Sequence, residues 1–173
     1  MAKNSSWLIV GLFVISIGIL CSMPQAMAET LSYKFFLPVT QRQVVQIEDV
    51  PSHGVGFAVR EGSVALGTGE MAWVKSVNSW DVIKGGGPFI AYNTLTFQDG
   101  STIITHNKGI SKEHSASGPP ETKVTSEIIK GTGRFEGIKG TVSAWNKSMP
   151  LEKGELGEKI LGEGTLTYTL PKK

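Results

Sequence analysis

The amino-acid sequence predicts an all-β protein, a single antiparallel β-barrel of about eight strands. Three observations carry this expectation. Apolar residues recur with period two in short stretches bounded by Gly, Pro, Asn, Asp and Ser, which is the signature of strands, and no long helical period appears. The 21 glycines are spread through the chain at strand ends and within strands, where they mark bends and close backbone approach. Successive stretches are joined mostly by short turns, leaving no room for crossover helices and favouring antiparallel neighbours.

The first element is not part of the barrel. Residues 1–28 carry one charge, Lys3, then the uncharged run Trp7 to Leu20, then Pro24 and the small-residue site Ala26-Met27-Ala28. This is the order of a cleavable signal segment. The apolar run has 14 residues, short of the roughly 20 that a spanning helix needs, so the reading is export to the periplasm or beyond with no membrane span in the mature chain. Cys21 is the single cysteine, and Leu20 before it is larger than lipoprotein processing accepts. The mature domain, 29–173, then holds neither a disulfide nor a thiolate ligand, and its stability comes from packing. Losing Lys3 lowers the formal charge from +2 to +1, too weak a field to gather nucleic acid or anionic lipid.

The strands expected in order are Leu31 to Phe36, Val44 to Asp49, Val55 to Leu66, Met71 to Val82, Phe89 to Gln98, Thr102 to Ile110, Lys123 to Lys130, Ile138 to Lys147 and Lys159 to Leu170. Gly85-Gly86-Gly87-Pro88 and Ser111 to Glu121 read as rim loops. Asp99-Gly100 between two alternating segments favours a two-residue hairpin turn. That turn sets Phe97 opposite Thr102, Leu95 opposite Ile104 and Asn93 opposite His106. The face holding Ala91, Asn93, Leu95, Phe97, Ile104 and His106 is the more apolar, and so is expected to point inward. The same parity selects Met71, Trp73 and Val77, then Ile138, Val142 and Ala144, then Ile160, Leu166, Tyr168 and Leu170. Trp80 and Trp145 fall on the other parity, on the barrel exterior.

From these faces come the candidate ligand-binding residues: Asn93, His106, Trp73, Leu95, Phe97 and Tyr168. Buried imidazole and amide groups need partners, and such a pair serves either the fold or the orientation of a polar group on an otherwise apolar ligand. Large aromatics in a small barrel are more often core than ligand platforms. The histidines His53, His106 and His114 have no metal-ligand spacing, so no metal site is expected, and no cofactor either. Gly131-Thr132-Gly133 is followed by no Gly-Lys-Ser/Thr and no helix, which excludes a phosphate loop. Basic residues are not interleaved with aromatics, which argues against single-stranded nucleic acid. Glu127 lies on a strand whose inward face the sequence leaves open.

The segment Lys130-Gly131-Thr132-Gly133-Arg134-Phe135-Glu136-Gly137-Ile138-Lys139-Gly140 resembles the glycine-rich strand-turn-strand of allene oxide cyclases and plant dirigent proteins. Phe89-Ile90-Ala91-Tyr92, Phe97-Gln98-Asp99-Gly100 and the closing Gly164 to Leu170 extend the likeness, and His53 to Ala65 is similar to bacterial exported relatives. The resemblance implies an allene-oxide-cyclase-like barrel, Phe135 plugging one end, and trimers. It does not transfer the cyclase chemistry, because the first strand, Leu31 to Pro38, has neither the glutamate nor the asparagine of those enzymes. Three functions follow: a binder of a small apolar, lipid-like molecule, which the mixed inward set favours; an isomerase or cyclase using the same cavity; or a structural barrel that meets protein partners through its outer face.

Overall fold

The computed structural model describes residues 27–112, 122–150 and 152–172. The expected signal segment up to residue 26, Cys21 and His114 included, and most of the expected rim loop Ser111 to Glu121 lie outside the described residues. Nine strands follow in chain order: β1 (Glu29–Leu37), β2 (Val39–Ile47), β3 (His53–Leu66), β4 (Met71–Ile83), β5 (Gly87–Phe97), β6 (Thr102–Ser111), β7 (Thr122–Gly131), β8 (Lys139–Met149) and β9 (Lys159–Thr169). All pair antiparallel in the order β1-β9-β8-β7-β6-β5-β4-β3-β2, and a β1–β3 pairing closes the sheet into an eight-strand barrel.

Nine strands give eight positions because β1 and β2 share one. Tyr33 to Phe36 of β1 lie against Ser63 to Leu66, and β2 continues along the first half of β3 from Val39 to Ile47. Pro38 separates them, its carbonyl accepting the Glu61 N–H at 3.2 Å, and the register shifts between Val39 and Gln41. β2 therefore begins five residues before the Val44 that periodicity suggests. Apart from Val39 its side chains are exposed on both faces, so no alternation marks it.

One end of the barrel is solid. Phe97, Ile103, Phe135, Ile138, Leu66 and Tyr168 pack there in one buried cluster. Phe135 comes from the short 3-10 turn Gly133–Phe135, and its ring sits 4.7 Å from Phe97 and 6.5 Å from Tyr168, the plug the sequence suggests. Gly131 makes the connection tight, since a Cβ there would meet the Phe135 carbonyl oxygen at 2.2 Å. Arg134 lies over both rings at 4.8 Å and pairs with Glu70 at 2.5 Å, fastening the plug to the β3–β4 turn.

Two inward faces differ from expectation. The β5–β6 loop has three residues, Gln98, Asp99 and Gly100: the Phe97 N–H donates to the Ser101 carbonyl at 2.9 Å, and the Gly100 N–H to the Phe97 carbonyl at 3.0 Å. Gly100 alone takes positive φ (79°), and the Asp99 carboxylate accepts the Ser101 N–H at 3.0 Å. That geometry is a turn followed by a left-handed residue, rather than the two-residue turn with positive φ at both positions. The extra residue moves the pairing to Leu95–Ile103, Asn93–Thr105 and Tyr92–His106. A one-residue slip turns every β6 side chain over. Ser101, Ile103, Thr105 and Asn107 are buried, while His106 goes to the outer surface, its ring 4.7 Å from that of Tyr92.

On β4 the parity is likewise reversed. Met71, Trp73 and Val77 stand outside, Trp73 at 55% exposure, and Ala72, Val74 and Ser76 are buried. Both faces of β4 carry apolar residues, so composition does not rank them. The ladder does, setting Val74 beside Leu95 and Trp73 beside Thr96.

Candidate functional site

Above the plug the barrel is hollow. The cavity has a volume of about 740 Å³ and opens at the end carrying the β4–β5 turn, the end of β6 and the start of β7. That size falls within the range of small-molecule pockets, roughly 300–1,000 Å³.

Its walls are of two kinds. Along β1, β8 and β9 the lining is mostly apolar, with Phe35, Leu37, Val142, Ala144, Ile160 and Leu166, and β8 adds Asn146 and Ser148 nearer the mouth. From β3 to β7 a polar band crosses it. Arg60 pairs with Ser76, Ser76 with Asn93, and Asn93 with Thr105 through successive ladders, so the four side chains stand side by side on the inner wall. Nearer the mouth Asn78 and Ala91 pair, then Ala91 and Asn107. Ser126 of β7 is buried in the same band.

Internal hydrogen bonds satisfy part of this band. Asn93 Nδ2 donates to Thr105 Oγ1 at 3.1 Å, and Arg60 Nη1 donates to Asn78 Oδ1 at 2.8 Å. Asn107 Oδ1 and Arg60 Nε are buried without a hydrogen-bond partner. The Arg60 side chain is 13% exposed, and its nearest acid, Glu158, holds an oxygen 3.7 Å from Nη2, beyond hydrogen-bond length. Burial pushes the Arg60 pKa down, Glu158 opposes that, and Arg42 adds to it. Tyr33 lines the cavity from β1, and burial raises its phenol well above the ordinary value, so it stays a neutral donor.

At the mouth, Trp80 faces inward opposite Gly56 of β3, whose missing side chain leaves room for the indole. Trp80 is thus a cavity residue and not the exterior contact its parity suggests. Trp145 does lie on the outer side, in a shallow groove with Lys34, Lys123 and Glu163. Ser111 Oγ donates to the carbonyls of Gly85 and Gly87 at 2.9 and 3.1 Å, fixing the rim between β4 and β6.

Of the six residues selected from sequence, the structure brings Asn93 and Leu95 into the cavity wall. Phe97 and Tyr168 belong to the solid end below it; Tyr168 donates to Glu29 Oε2 at 2.6 Å, and burial together with that carboxylate pushes its pKa up to about 12. His106 and Trp73 are outside. Sequence reasoning missed Arg60, Asn78, Trp80, Thr105 and Asn107. The available signal for Arg60 was its parity: it lies in step with Ala58, Val64 and Leu66, and a lone cation on the buried face of a strand is uncommon. Among the described residues no cluster of His, Cys, Asp and Glu fits a metal ion. Nor does any helix of them have the length and apolarity to cross a membrane.

No family model matches the chain, and no curated protein matches it. Solved structures do. The pterocarpan synthase dirigent protein PsPTS1 superposes with a TM-score of 0.58 at 15% identity, over 86% of this chain and 99% of that one. The pterocarpan synthase dirigent protein GePTS1 gives 0.53 at 14%, over 86% and 94%. A beta-barrel like protein from Acinetobacter baumannii AYE gives 0.52 at 14%, over 85% and 99%. At these identities the likeness speaks for the fold, that of the dirigent-like barrels.

Proposed function

We propose that this dirigent-like barrel is an exported binder of one small, largely apolar molecule, held inside the barrel. The observation that supports it best is the cavity of about 740 Å³, closed at one end by Phe135 and open at the other. An eight-stranded barrel has an interior that side chains can fill or that can hold a ligand. Here small residues such as Ala58, Ala91 and Ala144 line the middle of the wall. An apolar wall facing a few fixed polar groups is the usual lining of a small-molecule site.

A second reading, an isomerase or cyclase in the same cavity, draws support from the name of the similar pterocarpan synthase dirigent proteins and from Tyr33. A neutral phenol in a dry site can donate a hydrogen bond to a substrate oxygen as it gains charge.

Native mass spectrometry of the purified protein, followed by organic extraction and identification of what copurifies, tests the reading. A stoichiometric apolar species is expected. A ligand-free protein that also takes up no apolar fluorescent probe would defeat it. With a ligand identified, Tyr33→Phe divides the two readings: unchanged affinity with lost conversion is the enzyme's result. Intact mass of the exported protein tests export, with cleavage after Ala28 expected.

A further inference from the structure

We propose that the cavity selects an organic anion, with Arg60 receiving its acidic group and Glu158 competing with that group for the guanidinium. The inference rests on the binding reading above and adds the chemical class of the ligand.

Among the described residues three cations line the cavity, Arg42, Arg60 and Lys112, against one carboxylate, Glu158. Arg42 and Lys112 stand exposed at the mouth, whereas Arg60 is withdrawn into the wall. A buried cation is costly unless it is paired and hydrogen-bonded. Arg60 is only half provided for. Its Nη1 has Asn78, its Nε has nothing, and its one counter-ion stands 3.7 Å away with 40% of its own side chain exposed. A guanidinium presents two parallel N–H groups along its Nε–Nη2 edge, a match for the two oxygens of a carboxylate. That edge is the one left without a hydrogen bond. Nε is sealed from solvent, so seating an anion first engages Nη2 and then requires a rotation of the guanidinium away from Glu158.

The rest of the band fits the same ligand. Asn93 and Thr105 share one hydrogen bond, and much of the remaining lining, Phe35, Leu37, Val124, Val142, Ile160 and Leu166, is apolar. The molecule that fits is apolar along most of its length with one acidic end against β3. A neutral molecule of the same shape leaves Arg60 as it is and gains nothing from it. Glu158 competes with the ligand for one guanidinium, so its removal strengthens binding.

The test compares cis-parinaric acid with its methyl ester, two fluorescent probes sharing one apolar body, on the purified protein. The acid is expected to bind at least tenfold more tightly, with the difference shrinking as salt is raised. Arg60→Met should abolish the preference while keeping ester binding, and Glu158→Gln should tighten the acid several-fold and leave the ester unchanged. Circular dichroism checks that each variant is folded; if Arg60→Met is not, Glu158→Gln and the salt series decide. Equal binding of acid and ester by the unaltered protein overturns the anion inference and leaves the cavity reading standing. Binding of neither overturns both. A preference for the acid that survives Arg60→Met or ignores Glu158→Gln refutes the assignment to Arg60.

Discussion

Asn93 and Thr105 face each other across the β5–β6 ladder on the inner wall of the barrel, amide Nδ2 to hydroxyl Oγ1 at 3.1 Å, while His106 beside them points the other way. The pair carries the register of the hairpin into the chemistry of the cavity. Had the loop been one residue shorter, an imidazole would stand where the hydroxyl does.

This arrangement predicts unequal costs for neighbouring substitutions. Asn93→Ala leaves a buried hydroxyl without its partner and is expected to cost about 1–3 kcal/mol of unfolding free energy. His106→Ala loses a surface ring contact with Tyr92 and is expected to cost under about 1 kcal/mol. Urea denaturation of the two variants measures both, and a reversed order would mean that β6 is turned the other way.

Tryptophan emission should report occupancy of the cavity through one residue. Trp80 lines the mouth, whereas Trp73 and Trp145 lie on the outer side. Titration with an apolar ligand is therefore expected to shift the emission of the parent protein and of Trp73→Phe, and to leave that of Trp80→Phe unchanged.

The solid end holds the barrel together, and Ile103 is its most enclosed side chain at 0% exposure. Ile103→Ala is expected to destabilise the fold by about 2–5 kcal/mol, the range for emptying a packed aliphatic site. Gly131→Ala should cost about 1–3 kcal/mol for the opposite reason, a methyl group driven against the Phe135 carbonyl oxygen. Thermal melts of the two variants measure both losses.

At the other end, His53 ties the β2–β3 turn to β4, its Nδ1 2.5 Å from Asp49 Oδ1 and its Nε2 2.7 Å from Asp81 Oδ1. The hydrogen bonds that Asp81 and then Asp49 accept raise the His53 pKa, and the bond His53 donates to Asp49 lowers that of Asp49. A raised histidine pKa gives stability that is fully present below its ordinary value of about 6.5 and lost as pH climbs through the folded value. A lowered carboxylate pKa gives stability that is present above the ordinary carboxylate range and lost as pH falls through the folded value. The tether is thus strongest in mildly acid solution, between those limits. Melting temperature against pH should fall above neutrality in the parent and fall less in His53→Gln; parallel profiles would rule the tether out.

Every strand of the barrel but the first half of β2, which is exposed on both faces, is legible in the sequence, because period-two patterning and Gly, Asn and Asp at the turns are local properties of the chain. The inward faces of β5 and β9 are legible too, since one parity on each is richer in large apolar groups, and on β8 Val142 and Ala144 face in as their parity suggests. The Phe135 plug shows in the glycine-rich Lys130 to Gly140. What local pattern leaves undecided is which parity faces in when both are apolar. On β4 the outward set Met71, Trp73 and Val77 is larger than the inward Ala72, Val74 and Ser76, so bulk does not mark the inner face. On β6 the answer turned on Gln98 joining the loop, and the hydrogen bonds of the closed ladder fix that count. Arg60, Asn78, Trp80, Thr105 and Asn107 come from three strands, β3, β4 and β6, and only closure of the sheet sets them around one space. Strand identity is short-range information; the lining of a cavity depends on register accumulated around the whole barrel, and a single residue at one turn inverts it.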